Sequence, residues 1–290
     1  MSTNMATRDK FNMANLPIFS RIRPIYFMIT AWLVGVLGPF VWMFFTSITP
    51  DRDLLTQAKD VFPKHTTFAA YQHMLNDSRF IKYMFNSLTV AISTVTLTTL
   101  IALLGGTALS RYRFRGHSFI LMSILLVQLF PSILLIVPLY IELKKMGLLN
   151  TKLGLVLVYT SFSLSFATWL LKGFIDQIPK EIEESMTVDG ASKIQVFRYL
   201  IFPLARPGIA AAGTYAFIYS WNEFIFSLTF TNGQGARTLP VGIQQFIAED
   251  LIRWDLITAS GVMAAIPILI GFMFAQRVLI SGLTAGAVKG

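Results

Sequence analysis

Six stretches of this 290-residue chain are apolar and long enough to cross a lipid bilayer, and that pattern limits the fold more than anything else in the sequence. They run near residues 24–46, 85–110, 118–141, 153–171, 204–230 and 256–279. A helix needs about 20 such residues to span ~30 Å of hydrocarbon. Inside lipid every backbone N–H and C=O must bond within the protein, so only helices and closed barrels qualify. The ten-residue alternation of barrel strands is absent from these windows. The fold class expected is therefore all-α: a polytopic membrane protein with six transmembrane helices. Composition agrees, since 13% of residues are charged, about half the share in a soluble domain, and mean hydropathy is +0.61.

Arg21 and Arg23 precede the first window in the manner of a signal peptide. Its apolar run exceeds the usual 7–15 residues and no small-x-small cleavage site follows, so a retained helix is expected. Lys and Arg in the connecting segments favour an N-in, C-in arrangement. The densest cluster, Arg111-Tyr112-Arg113-Phe114-Arg115, lies on the inner side, whereas Lys144-Lys145 counts the other way. The net charge of +9 then reads as topology and contact with anionic lipid, not as a nucleic-acid footprint.

Chemistry-bearing patterns are few. There is no cysteine, hence no disulfide and no thiolate metal site. His65, His73 and His117 lack metal-ligand spacing. No Gly-x-x-x-x-Gly-Lys-Ser/Thr loop is present to hold ATP phosphates, and no nucleophile has a neighbouring base. No enzyme activity, resident cofactor or metal is expected.

The segment 179–203, between the fourth and fifth windows, is too polar to cross a membrane and too well patterned for a linker. Pro179 suits a first helical position. Glu181, Glu183 and Glu184 follow, where negative charge favours the helix start. Asp189-Gly190 reads as a stop. Ser192 and Gln195 have capping-box spacing and open a second short helix, in which Ile194, Phe197 and Ile201 recur at helical intervals and Pro203 is expected to end it. The pattern predicts two short helices along the inner membrane face. One reading is an amphipathic pair packed only on its own chain; the other is a docking element.

Glu184 followed by Asp189-Gly190-Ala191, then Phe197 and Pro203, resembles the cytoplasmic signature of permease subunits of bacterial ABC importers. That form begins Glu-Ala-Ala, where this chain has Glu184-Ser185-Met186. Trp221-Asn222-Glu223-Phe224 resembles a run typical of carbohydrate-importer permeases, and the tail from Leu283 to Gly290 is similar to that of the smaller permease of maltose/trehalose-type transporters. The resemblance implies an inner-membrane subunit that forms a translocation pathway with a second permease. A dimer of ATPase subunits would bind ATP and magnesium beneath it, and an extracytoplasmic sugar-binding protein would deliver a disaccharide or oligosaccharide. It implies a coupling interface of Glu183, Glu184, Met186, Asp189, Gly190, Ala191, Ile194, Phe197, Arg198 and Pro203. A tail contact through Thr284, Ala285, Gly286 and Lys289 is implied as well. The division into a cytoplasmic segment (1–23), a transmembrane domain (24–282) and a cytoplasmic tail (283–290) follows.

Polar groups within the windows are read as pathway or permease-interface candidates: Asn86, Gln128, Asn222 and Glu223. For Glu223 a structural hydrogen bond between helices is the competing reading. Pro131, Pro138 and Pro267 are expected kinks, and Gly208, Ala212 and Ala216 a close-packing face. Two alternatives stand beside the sugar importer: an importer of another solute such as a phosphorylated polyol, and a stand-alone channel or secondary carrier.

Overall fold

A computed structural model describes residues 17–56, 63–248 and 252–287 of the chain, with side chains over 25–54, 63–244 and 252–276. The regular structure of the described residues is all helical, without a strand. The elements are α1 (Pro17–Ser47), α2 (Asp51–Thr56), α3 (Ala69–Asn76), α4 (Ser78–Arg111), α5 (His117–Leu129), α6 (Ile136–Lys145) and α7 (Lys152–Asp176). There follow α8 (Lys180–Val188), α9 (Lys193–Val196), α10 (Phe202–Leu204), α11 (Arg206–Asn222), α12 (Ile225–Phe230), α13 (Leu239–Ala248) and α14 (Trp254–Ala287).

The core is a packed trio of α4, α7 and α11; α14 lies against α11 and α1, and α5 against α7. Between α4 and α7 the backbones approach closely, since a Cβ on Gly106 would meet the Lys172 backbone nitrogen at 3.0 Å. Thr98 and Ser163 share a buried hydrogen bond of 2.9 Å across the same pair. Gly208, Ala212 and Ala216 are all buried. Small residues and hydroxyl bonds are how helices associate when lipid removes the hydrophobic incentive. The outer surfaces carry Tyr26, Phe27, Trp32, Phe119 and Phe274 largely exposed, which suits a lipid solvent.

Among the described residues four helices are long and apolar enough to cross a membrane: Ile25–Ser47, Ser78–Arg111, Lys152–Asp176 and Trp254–Gln276. The other two windows are not single straight helices. The third is a bent pair, His117–Leu129 and Ser132–Lys145, turning by 97°. Pro131 causes the bend: it pushes Phe130 into extended backbone (ψ 126°) and cannot donate to the preceding turn. Pro138, expected as a second kink, sits in the first turn of α6, where no hydrogen bond is lost. Pro267 lies within a continuous α14. The fifth window breaks at Glu223, leaving α11 with 17 residues and α12 with six.

The stretch between α1 and α4 contains α2 and α3. Ala70 and Met74 of α3 pack with Phe80, Trp221 and Leu239. After the loop at 232–235 the chain forms α13.

Candidate functional site

The patterned segment between α7 and α11 folds as the pair α8 and α9, joined at Gly190. The chain reverses there because Gly190 adopts φ +89°, a left-handed conformation that side chains resist. The Ala191 N–H donates to the Met186 carbonyl at 2.9 Å and the Gly190 N–H to Thr187 at 3.0 Å, satisfying carbonyls that end α8. Both halves of the capping box form: Gln195 Oε1 accepts from the Ser192 N–H at 2.7 Å, and the Ser192 side chain accepts from the Gln195 N–H. Pro179 precedes α8 as its cap residue and is not its first helical residue.

The second helix ends at Leu204, one residue past Pro203, before α11 starts at Arg206. The turn Phe197–Ile201 widens to π geometry and continues into α10. Pro203 has no N–H and would leave a gap in a regular α-helix, and a π turn accommodates such a defect locally. The Phe202 N–H reaches back five residues to Phe197.

The pair is held to the bundle by two kinds of contact. Beneath α9, Val196, Ile201 and Ala205 join Ala102 and Leu103 of α4, Leu171 and Ile175 of α7 and Ala212 of α11 in one buried cluster. Met186, Ala191 and Phe197 pack on its edge. Beneath α8 the contact is polar. Arg111, the last residue of α4, pairs with Glu183, their side chains 8% and 18% exposed. The same guanidinium donates to the Ile178 carbonyl at 3.0 Å and to Ser110 Oγ at 2.9 Å. Ser110 donates to Asp176 at 2.6 Å, and Lys172 donates to the other Asp176 oxygen at 2.6 Å. Tyr112 carries the Lys193 ammonium over its ring at 5.3 Å, which ties the loop after α4 to α9.

The opposite face is open. Glu184, Asp189 and Arg198 are exposed, Val188 is 87% exposed and Ile194 78%. Ile194 therefore belongs to an outward apolar face, not to the core. The helix pair presents two bare aliphatic side chains flanked by acid and base, on a rigid base of packed spans.

The polar groups of the spans divide. Asn86 is buried and donates to the carbonyls of Gln234 and Arg237 at 3.3 and 3.0 Å, while Ser87 accepts from the Leu239 N–H at 2.7 Å. These two pin the loop before α13, so the structure places Asn86 inside the chain and not on an open path. Glu223 caps α12: its oxygens accept from the N–H groups of Phe226 and Ser227 at 2.8 and 3.1 Å and from the Tyr159 hydroxyl of α7 at 2.6 Å. Trp221 donates to the Ala264 carbonyl of α14 at 3.2 Å. Asn222, between them, is exposed and bonds only to its own helix, at Ile218. Gln128 is exposed one turn before the α5–α6 bend.

Helix α14 runs through Thr284, Ala285 and Gly286 of the implied tail contact to Ala287, since nothing after Ser281 removes a backbone donor. Lys289 lies outside the described residues. Among the described residues no group of three His, Asp or Glu is placed to hold a metal ion. Arg111, Tyr112, Ser110, Asp176 and Tyr159 were not singled out from sequence as contact residues. Arg111 drew notice only as loop charge, because its partner lies 72 positions away.

These features describe a membrane-type helical bundle with an exposed helix pair between its spans, and comparison with known proteins gives its family. Residues 97–284 match the family described as binding-protein-dependent transport system inner membrane component. The sulfoquinovosyl glycerol transport system permease protein SmoH of Agrobacterium fabrum is 36% identical over 258 residues, 89% of this chain and 90% of that one. The trehalose/maltose transport system permease protein MalG of Thermococcus litoralis is 35% identical, covering 93% and 98%. The diacetylchitobiose uptake system permease protein DasC of Streptomyces coelicolor is 34% identical, covering 94% and 99%. A crystal structure of a bacterial ABC transporter importing the acidic polysaccharide alginate shares the fold at a TM-score of 0.75 and 22% identity, over 93% of this chain and 99% of that one. The chain belongs to the family of inner-membrane components of binding-protein-dependent transport systems, and it is a multi-pass membrane protein.

Proposed function

We propose that this chain is one of two permease subunits of an ATP-driven importer of a disaccharide or oligosaccharide. The chain itself binds no nucleotide. Two ATPase subunits, holding ATP and magnesium, dock under α8 and α9, and an external binding protein delivers the sugar. The spans rock when the ATPases close. The bent α5–α6 pair and the broken α11–α12 pair each complete one crossing, giving six with both ends inside. The tail after residue 282 reaches the seam between the ATPases.

The observation that carries this reading is the α8–α9 pair. It has a glycine-hinged turn, a buried face fused to the trio of spans, and an open face with Val188 and Ile194 in water. Exposed aliphatic anchors beside charges suit a protein partner. The sugar class is supported by the names of the relatives, which concern trehalose, maltose, diacetylchitobiose and a glycosyl glycerol. The test is to isolate the tagged chain from its host membrane and reconstitute what comes with it. A second permease, an ATPase and nucleotide-dependent uptake of a glycoside into vesicles are expected. Uptake by the chain alone, without nucleotide, would refute the proposal.

A further inference from the structure

The two helices of the docking pair are held in different ways. Helix α9 is bolted by Val196, and the turn after it by Ile201, into a cluster shared with α4, α7 and α11. Helix α8 buries no residue of its own, and only Met186 touches that cluster. Among the described residues, the polar contact that fixes α8 against the spans comes from one side chain. The Arg111 guanidinium ends α4, grips Glu183 in the middle of α8, and closes on the Ile178 carbonyl where α7 passes into α8. Through Ser110 it also reaches Asp176, the last residue of α7. A single planar fork thus joins α4, α7 and α8, and the contact is largely out of solvent. A guanidinium can do this because its donors are fixed in one plane and remain charged; an ammonium cannot bridge three acceptors with the same geometry.

We infer that Arg111 is a positioning residue for energy coupling: it makes α8 and the inner ends of α4 and α7 one rigid body, so that motion imposed on α8 reaches the spans. Without it α8 is tethered by its ends and Met186, and a push on α8 is spent in swinging α8 alone. The inference rests on the proposed docking of an ATPase at this pair.

The test uses the assembled transporter in lipid nanodiscs, with a spin label on a single cysteine at Leu129, the exposed last residue of α5 beside the 97° bend. Vanadate with Mg·ATP traps the closed ATPase, and a water-soluble paramagnetic relaxer reports the label's accessibility. Trapped nucleotide is counted in the same sample. In Arg111→Met the nucleotide-driven change in accessibility is expected to fall at least about fivefold while trapping persists, the scale of a typical coupling between sites. Arg111→Lys should recover part of the change. Glu183→Gln, the milder lesion, should weaken it, and the Arg111→Met/Glu183→Gln pair should be no worse than Arg111→Met alone. A purely structural role would lower the yield of assembled complex and leave the change per trapped nucleotide intact. That result, or additive effects of the two substitutions, overturns the inference. An unsubstituted assembly that traps nucleotide without any change at Leu129 would instead refute the coupled mechanism itself.

Discussion

Glu223 offers the sharpest quantitative prediction, because its carboxylate accepts three hydrogen bonds from two helices at the break between α11 and α12. Glu223→Ala removes the cap of α12, which costs about 1 kcal/mol. It also strands the hydroxyl of Tyr159, whose side chain is fully buried, and an unsatisfied buried donor costs about 1–3 kcal/mol. The expected loss is therefore about 2–4 kcal/mol, large against the marginal stability of a folded chain. Tyr159→Phe removes only the hydroxyl, while Glu223 keeps its two backbone donors, and should cost only about 1 kcal/mol. The Tyr159→Phe/Glu223→Ala double variant should then be less destabilised than the two single losses added together, by about 0.5–3 kcal/mol. Thermal unfolding of the detergent-solubilised protein, followed by a thiol-reactive dye at an introduced buried cysteine, measures all three. Additive losses, or a Glu223→Ala melting point equal to that of the unsubstituted chain, would show that the carboxylate does not cap this break.

Other expectations follow from single contacts. Gly190→Ala places a Cβ in open space, so its cost is the left-handed backbone alone, about 1–2 kcal/mol; Gly190→Asn should cost less, and melting of the two variants compares them. A Cβ on Gly208 would lie 2.7 Å from Phe174 Cγ, so Gly208→Ala should lower stability by about 1–3 kcal/mol, visible as a lower half-inactivation temperature. Glu184→Lys leaves every described internal contact of the helix pair in place, so the protein should reach the membrane at normal levels and yet fail to stimulate the ATPase, as read by ATP hydrolysis in vesicles. At the start of α4, partial burial of Asp77 is outweighed by the Arg79 side chain and by the N–H groups of Arg79 and Phe80, which hold its carboxyl below the ordinary value. Its stabilising contribution is present above the unfolded-state pKa and is lost as pH falls through the lower folded value. Hydrogen-exchange protection of the first turn of α4 should accordingly fall in acid, and Asp77→Asn should flatten that dependence.

The membrane class, the helix pair, its capping box and its glycine stop are all legible from sequence because each is fixed within a few residues. Ser192 and Gln195 meet in the structure as their spacing requires, and Gly190 takes the left-handed turn that Asp189-Gly190 announces. The failures have a common cause. Hydropathy measures how apolar a stretch is, not whether it is straight, so the windows around Pro131 and Glu223 read as single helices when one bends and the other breaks. Pro203 lies in the last turn of its helix, which ends at Leu204, and the π turn before it is not legible from local rules. Asn86, Glu223 and Arg111 are settled by partners at long range: loop carbonyls for the first, Tyr159 for the second and Glu183 for the third. Nothing in the spacing along a chain names such partners.

The central claim is that the open face of α8 and α9 meets an ATP-hydrolysing subunit on the inner side of the membrane. The chain has no cysteine, so Val188→Cys and Ile194→Cys each supply one thiol on that face without further changes. Crosslinking in sealed right-side-out vesicles with a membrane-permeant bifunctional reagent should join both positions to an ATPase subunit, and ATP should alter the yield. An impermeant maleimide applied outside should leave both thiols unlabelled. Labelling from the outside, or crosslinks that reach only this chain and lipid, would contradict the account.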